Sequence, residues 1–116
     1  MSNLTSLNQN RDFVRLYKRG KSQVNPLLVT YLSKNRQGET RVGITATKKV
    51  GGAVERNRAK RIIRAAMRTL PEGLPVGYDI IFVARGRTTA CKMQQVRTVM
   101  AQHLSRLIAP PPPKQK

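Results

Sequence analysis

The chain has 116 residues, the size of one domain with one core, and at that size roughly two-thirds of the unfolded surface can be buried. Lys and Arg number 23 against 5 Asp and Glu, a net charge of +18, while 39% of residues are hydrophobic. The longest apolar run, Ile80 to Ala84, is too short to span a membrane, Met1 to Asn10 holds no apolar signal-peptide core, and the lone Cys91 excludes an internal disulfide framework or a cysteine zinc site. A cytoplasmic protein is expected.

Taken in chain order, Asn10 is placed to cap a helix running to Arg19, and Gly20 to end it in a left-handed conformation. Lys21 to Asn25 reads as a short strand interrupted by Pro26, and Leu27 to Ser33 as a second. Asn35-Arg36-Gln37-Gly38 is a turn leading to a third strand, Thr40 to Lys48, so that the second and third strands are expected to form a hairpin. Val50-Gly51-Gly52-Ala53 connects to a helix from Val54 to Leu70, closed by Pro71 to Pro75. Tyr78 to Ala84 is nearly all apolar, the pattern of a strand buried on both faces. Thr88 or Thr89 is expected to cap a last helix carrying Met93, Val96, Met100, Leu104 and Leu107 on one side. The organisation is one domain over 1-109, followed by a proline-rich basic tail over 110-116 that is expected to be disordered.

Eighteen uncompensated positive charges repel one another, and a polyanion relieves them while releasing its own counterions. The segment Arg56 to Arg68 concentrates this excess, with six basic residues and no acid. At 100° per residue Ala59, Ile62, Ile63, Ala66, Met67 and Leu70 share one face, whereas Asn57, Lys60, Arg61, Arg64 and Arg68 share the other. A merely solvated helix interleaves opposite charges at i and i+4, and helix N-termini disfavour cations such as Arg56 and Arg58. A local rule broken without structural gain marks a binding surface. Lys48 and Lys49, ending the preceding strand, extend it into a phosphate-dense corner beside the Gly51-Gly52 amides.

Phe13, Tyr17 and Tyr31 are three of the five aromatics, and Arg11, Arg15, Lys18, Arg19 and Lys21 surround the first two. Rings among cations suit single-stranded nucleic acid, though Phe and Tyr at i and i+4 more often belong to a core face. Catalytic groups are lacking. The acids Asp12, Glu39, Glu55, Glu72 and Asp79 are scattered, His103 reads as a boundary residue of the last helix, and Cys91 has no evident base partner. A general RNA-binding module and a metal nuclease in its own right stand as rival classes, the latter opposed by the scattered acids.

The run Arg41-Val42-Gly43-Ile44-Thr45-Ala46-Thr47-Lys48-Lys49-Val50-Gly51-Gly52-Ala53-Val54-Glu55-Arg56-Asn57-Arg58-Ala59-Lys60-Arg61-Ile62-Ile63-Arg64 closely resembles the signature of the bacterial ribonuclease P protein subunit. The likeness extends to Asp12-Phe13, Tyr17 and Gly20 upstream and to Tyr78 to Arg85 downstream, with Glu55 as a departure. It implies an α+β fold in the order α-β-β-β-α-β-α with an uncommon left-handed β-α-β crossover. It further implies a protein that assists a catalytic RNA in removing the 5′ leader of precursor tRNA, with Mg²⁺ required by the holoenzyme, no metal bound by the protein, and no membrane or obligate protein partner. By position, Arg56, Asn57, Arg58, Lys60, Arg61 and Arg64 would contact the catalytic RNA, joined by Lys48, Lys49 and Arg68 from the same basic surface. Phe13, Tyr17 and Tyr31 would line the leader cleft, with Arg11 and Arg15 beside them.

Overall fold

A computed structural model describes residues 4–7, 9–36, 38–71 and 73–108. The elements are β1 (Leu4–Ser6), α1 (Asn10–Arg19), β2 (Lys21–Asn25), β3 (Leu28–Lys34), β4 (Thr40–Thr45), α2 (Ala53–Arg68), β5 (Tyr78–Ala84), a 3₁₀ turn (Gly86–Ala90) and α3 (Met93–Ile108). The order is the expected α-β-β-β-α-β-α with one short strand in front. The proline-rich tail expected over 110-116 lies outside the described residues.

The strands form one mixed sheet in the order β1-β4-β5-β3-β2. β1, β4 and β5 run parallel, and β3 pairs antiparallel with both β5 and β2. The apolar run of β5 takes the centre, because only a strand covered on both faces keeps every side chain of such a run from water. Ile80 and Phe82 meet α2 and α3 through Ala59, Ile63, Met67, Val96 and Met100, while Ile81 meets Leu16 of α1 on the opposite face. Each fully buried side chain of this size contributes about 1.5–3 kcal/mol by leaving water.

The β4-α2-β5 connection is left-handed, as the packing shows. Val42 points to the α2 side, and its carbonyl accepts from the Leu7 amide at 2.8 Å, toward β1. For an L-residue in a strand drawn upward with its side chain toward the viewer, the peptide groups point right. β1 therefore lies to the right of β4, β5 lies to its left, and α2 crosses in front. Moving left with the helix in front is the uncommon hand.

Several local expectations are corrected. β3 and β4 form no hairpin, because β5 lies between them; the hairpin is β2–β3, closed over Pro26-Leu27 with Asn25 Oδ1 accepting from Leu27 N at 2.9 Å. Asn10 is already helical, and Gln9 at the N-cap makes no side-chain hydrogen bond. Gly20 is extended (φ −72°) rather than left-handed; glycine suits it because a Cβ would sit 2.7 Å from the Leu16 carbonyl oxygen. Neither Thr88 nor Thr89 caps α3. Thr88 Oγ1 instead accepts from Arg85 N and donates to Leu27 O, and α3 opens where Gln95 Oε1 accepts from Lys92 N. β4 ends at Thr45, which leaves Lys48 and Lys49 in the following turn. His103 is buried rather than at a boundary, its Nδ1 sharing a 2.8 Å hydrogen bond with Thr30 Oγ1 of β3.

Candidate nucleic-acid interface

The turn before α2 is shaped by its glycines. Gly51 has φ +141°, which side chains with a Cβ rarely adopt, and Val50 N and Gly51 N donate to the carbonyls of Thr47 and Lys48. Arg56 Nη1 reaches back to the Gly51 carbonyl at 2.9 Å, so this arginine fastens the turn as well as carrying charge. Ala59, Ile63, Ala66 and Met67 are buried against the sheet. Most of the remaining helix surface beyond its first turn is cationic. Asn57, Arg58, Arg61, Arg64 and Arg68 are exposed, as are Lys48 and Lys49, while Arg56 and Lys60 are half-buried. Among the described residues none of these cations has an ion-pair partner. Glu55 at the start of α2 favours the helix dipole without neutralising the face.

The opposite sheet face carries the aromatics. The rings of Tyr17 and Tyr31 meet edge-on with centroids 4.8 Å apart, and Phe13 and Tyr17 are 6.3 Å apart. Leu16, between them on α1, is fully buried and anchors the helix through Ile81. Gly43 lets the Phe13 ring lie against β4, since a Cβ there would stand 2.8 Å from Phe13 Cζ. Phe13 and Tyr31 are half-buried, and Tyr17 remains 43% exposed. Burial, with a smaller effect from Tyr31, raises the Tyr17 phenol above its ordinary value, so it stays neutral. The trio thus presents partly exposed ring surface between α1 and the sheet, on which unstacked bases could stack.

Arg11 and Arg15 differ. Arg11 is exposed, whereas Arg15 Nη2 turns inward to Asp79 Oδ2 at 2.8 Å and to Asp12 Oδ1 at 3.3 Å. Asp79 is the centre of a cluster the sequence reading missed. Its Oδ1 accepts from Arg41 Nε (2.8 Å) and Asn35 Nδ2 (2.9 Å), and its Oδ2 also accepts from Arg41 Nη2 (2.6 Å). Burial alone would raise this carboxyl, but the hydrogen bonds from Arg41, Arg15 and Asn35 outweigh it and hold Asp79 below the ordinary range. The available signal was a lone acid inside a strand otherwise buried on both faces, which must find a partner. Its register partner across the parallel ladder is Arg41.

The family model for ribonuclease P matches residues 1–108. The ribonuclease P protein component of Clostridium botulinum (strain Langeland) is 38% identical over 101 residues, covering 86% of this chain and 91% of the relative. That of Pelotomaculum thermopropionicum is 40% identical over 106 residues, covering 91% and 95%. The solved ribonuclease P protein of Thermotoga maritima superposes with a TM-score of 0.75 at 31% identity, covering 87% of this chain and 96% of that one. The Staphylococcus aureus protein gives 0.74 at 32% identity, covering 87% and 93%.

Proposed function

The chain belongs to the ribonuclease P protein family, whose members serve as the protein subunit of an RNA-containing endoribonuclease of tRNA processing, and from that premise we propose that it bridges two RNAs electrostatically. The α2 surface, with Lys48 and Lys49, binds the catalytic RNA. The cleft of Phe13, Tyr17 and Tyr31 holds the single-stranded 5′ leader of precursor tRNA, with Arg11 and Arg15 beside it. The observation that carries this reading is the separation of the two surfaces. An unneutralised basic helix lies on one sheet face and partly exposed aromatic rings on the other, so one molecule can touch two strands at once.

The electrostatics give the mechanism. A large catalytic RNA and its precursor substrate repel each other, and a protein of charge +18 at their junction screens that repulsion. Ring stacking adds about 1–3 kcal/mol per base with little sequence demand, so diverse leaders are accepted. Mg²⁺ is assigned to the assembled enzyme and to its RNA. Among the described residues no three of His, Cys, Asp and Glu gather closely enough to hold a metal ion, and both Asp79 oxygens are occupied by cationic and amide donors. The protein's part is to bind, to orient and to lower the metal concentration needed. We place the protein in the cytoplasm with its precursor substrate; among the described residues no helix is long and apolar enough to cross a membrane.

The test is Phe13→Ala, assayed with the reconstituted holoenzyme. Affinity for precursor tRNA should fall about tenfold, the loss of one stacked base, while affinity for mature tRNA stays unchanged. Equal losses for both would remove the leader from the cleft.

A further inference from the structure

At the N-terminal end of α1 lies a hollow of about 540 Å³, of whose lining the family reading uses only Arg11 and Arg15, beside the leader site. Five cations line it: Arg11, Arg15, Lys34, Arg36 and Arg41. Two carboxylates, Asp12 and Asp79, line it with them, and the Glu39 charge also reaches Arg41. Asp79 at the floor is 1% exposed and saturated, its two oxygens accepting all four hydrogen bonds from Arg41, Arg15 and Asn35.

Two consequences follow. Arg15 and Arg41 are held in fixed orientations, and each guanidinium has N–H groups left over, since five are available and two are spent on carboxylates. Arg11, Lys34 and Arg36, by contrast, have no ion pair or side-chain hydrogen bond among the described residues. Arg11, Lys34 and Arg36 therefore carry charge without an ion pair around a concave space whose base holds one prearranged fork, the Nη1–Nη2 edge of Arg41, and the remaining Nη1 and Nε donors of Arg15. The α2 cations lie on an open face and are mostly unanchored; here the protein has fixed the donors in advance, which lowers the ordering cost of a bidentate oxyanion contact.

We propose that this hollow is a seat for one backbone phosphate of RNA, apart from the basic face of α2 and from the aromatic rings, sharing only Arg11 and Arg15 with the leader site. Arg15 and Arg41 supply oriented donors from below, and Arg11, Lys34 and Arg36 close over the anion from the rim. The identity of the ligand as RNA rests on the ribonuclease P reading; the capacity for a phosphate group does not. Because Asp79 of β5 is tied to α1 by Arg15, to β4 by Arg41 and to the β3–β4 connection by Asn35, an occupied seat also steadies the helix that carries Phe13 and Tyr17.

Inorganic phosphate titrated into the full chain at low ionic strength, followed by NMR of arginine Nε and Asn35 side-chain signals, tests the seat directly. The Arg15, Arg41 and Asn35 signals should shift saturably. In the Lys34→Gln/Arg36→Gln variant, which touches only exposed unpaired residues outside the leader site, the apparent affinity should weaken about fivefold. Absent shifts, or equal affinity in the variant, overturn the proposal. The same variant is then bound separately to the catalytic RNA and to precursor tRNA across a salt series. For one of the two, the log–log salt slope should fall in magnitude by about one, naming the RNA that donates the phosphate. Unchanged slopes for both would overturn its RNA role. Phe13→Ala should leave the phosphate titration as in wild type, so failure of the leader cleft is read separately from failure of the seat.

Discussion

Replacing Asp79 by Asn keeps the shape of the side chain and removes the charge that organises one end of the molecule. Four hydrogen bonds converge on the Asp79 carboxylate, three of them from guanidinium groups. Breaking a buried pair costs about 3–5 kcal/mol, because the surviving partner is left uncompensated. Here the Arg41 and Arg15 side chains are 20% and 37% exposed, so water recovers part of that loss, Arg15 most of all. Asn also keeps one acceptor oxygen while turning its own N–H groups toward donors. The expected destabilisation is about 2–4 kcal/mol, a large share of a typical stability of about 5–15 kcal/mol and equivalent to a melting-point drop on the order of 10–20 °C. Urea unfolding of both proteins at pH 7 measures it, and a pH series tests the cause. The folded Asp79 carboxyl is held below its ordinary value, so its contribution is full above about pH 4 and is lost as pH falls through the folded value. The gap between wild type and variant should therefore narrow in acid. A gap under about 0.5 kcal/mol at pH 7, or one that does not narrow as the pH is lowered, would refute the reasoning.

Arg58→Ala should weaken binding of the catalytic RNA and reduce its salt slope by about one, with thermal stability unchanged because Arg58 is exposed and unpaired; an unchanged slope removes Arg58 from the interface. Gly43→Ala should push the Phe13 ring out of the cleft, costing about 1–3 kcal/mol of stability and weakening precursor tRNA binding more than mature tRNA binding. Unaltered precursor affinity would show that the ring's seat on β4 is irrelevant to the leader. Burial, with help from the Arg106 charge, lowers His103 below its ordinary value, so its contribution to stability is full above about pH 6.5 and is lost as pH falls. Between pH 7 and pH 5 the wild type should lose stability faster than His103→Gln; parallel losses would mean that the Thr30–His103 contact does not govern that range.

What the sequence disclosed and what it hid divide along physical lines. The two-faced pattern of Arg56 to Leu70 and the apolar run Tyr78 to Ala84 were legible because helix and strand periodicity are local and each element packs with the face its pattern implies. The pairing of strands was not. β3 and β4 are neighbours in sequence, yet β5 arrives from more than thirty residues downstream and separates them, a choice made by burial of the most apolar strand. The crossover hand was implied by the resemblance alone; in the structure it is set by which side of β4 receives β1. Buried polar contacts were invisible for a related reason. Asp79 read as one of five scattered acids and His103 as a boundary residue, because Arg41, Arg15 and Thr30 reach them only through the sheet and across the α1 and α3 interfaces. The basic residues of α2 stood out because their charge breaks local helix preferences, and the aromatics of α1 were ambiguous because a core face and a base-stacking cleft use the same spacing.

The most direct test of the account is removal of the 5′ leader from a precursor tRNA at low Mg²⁺, comparing the protein alone, the catalytic RNA alone, and the two together. Cleavage should occur efficiently only with both present, and raising Mg²⁺ should restore part of the activity of the RNA alone. Cleavage by the protein alone, or a protein that binds the RNA without stimulating cleavage at any Mg²⁺ concentration, would contradict it.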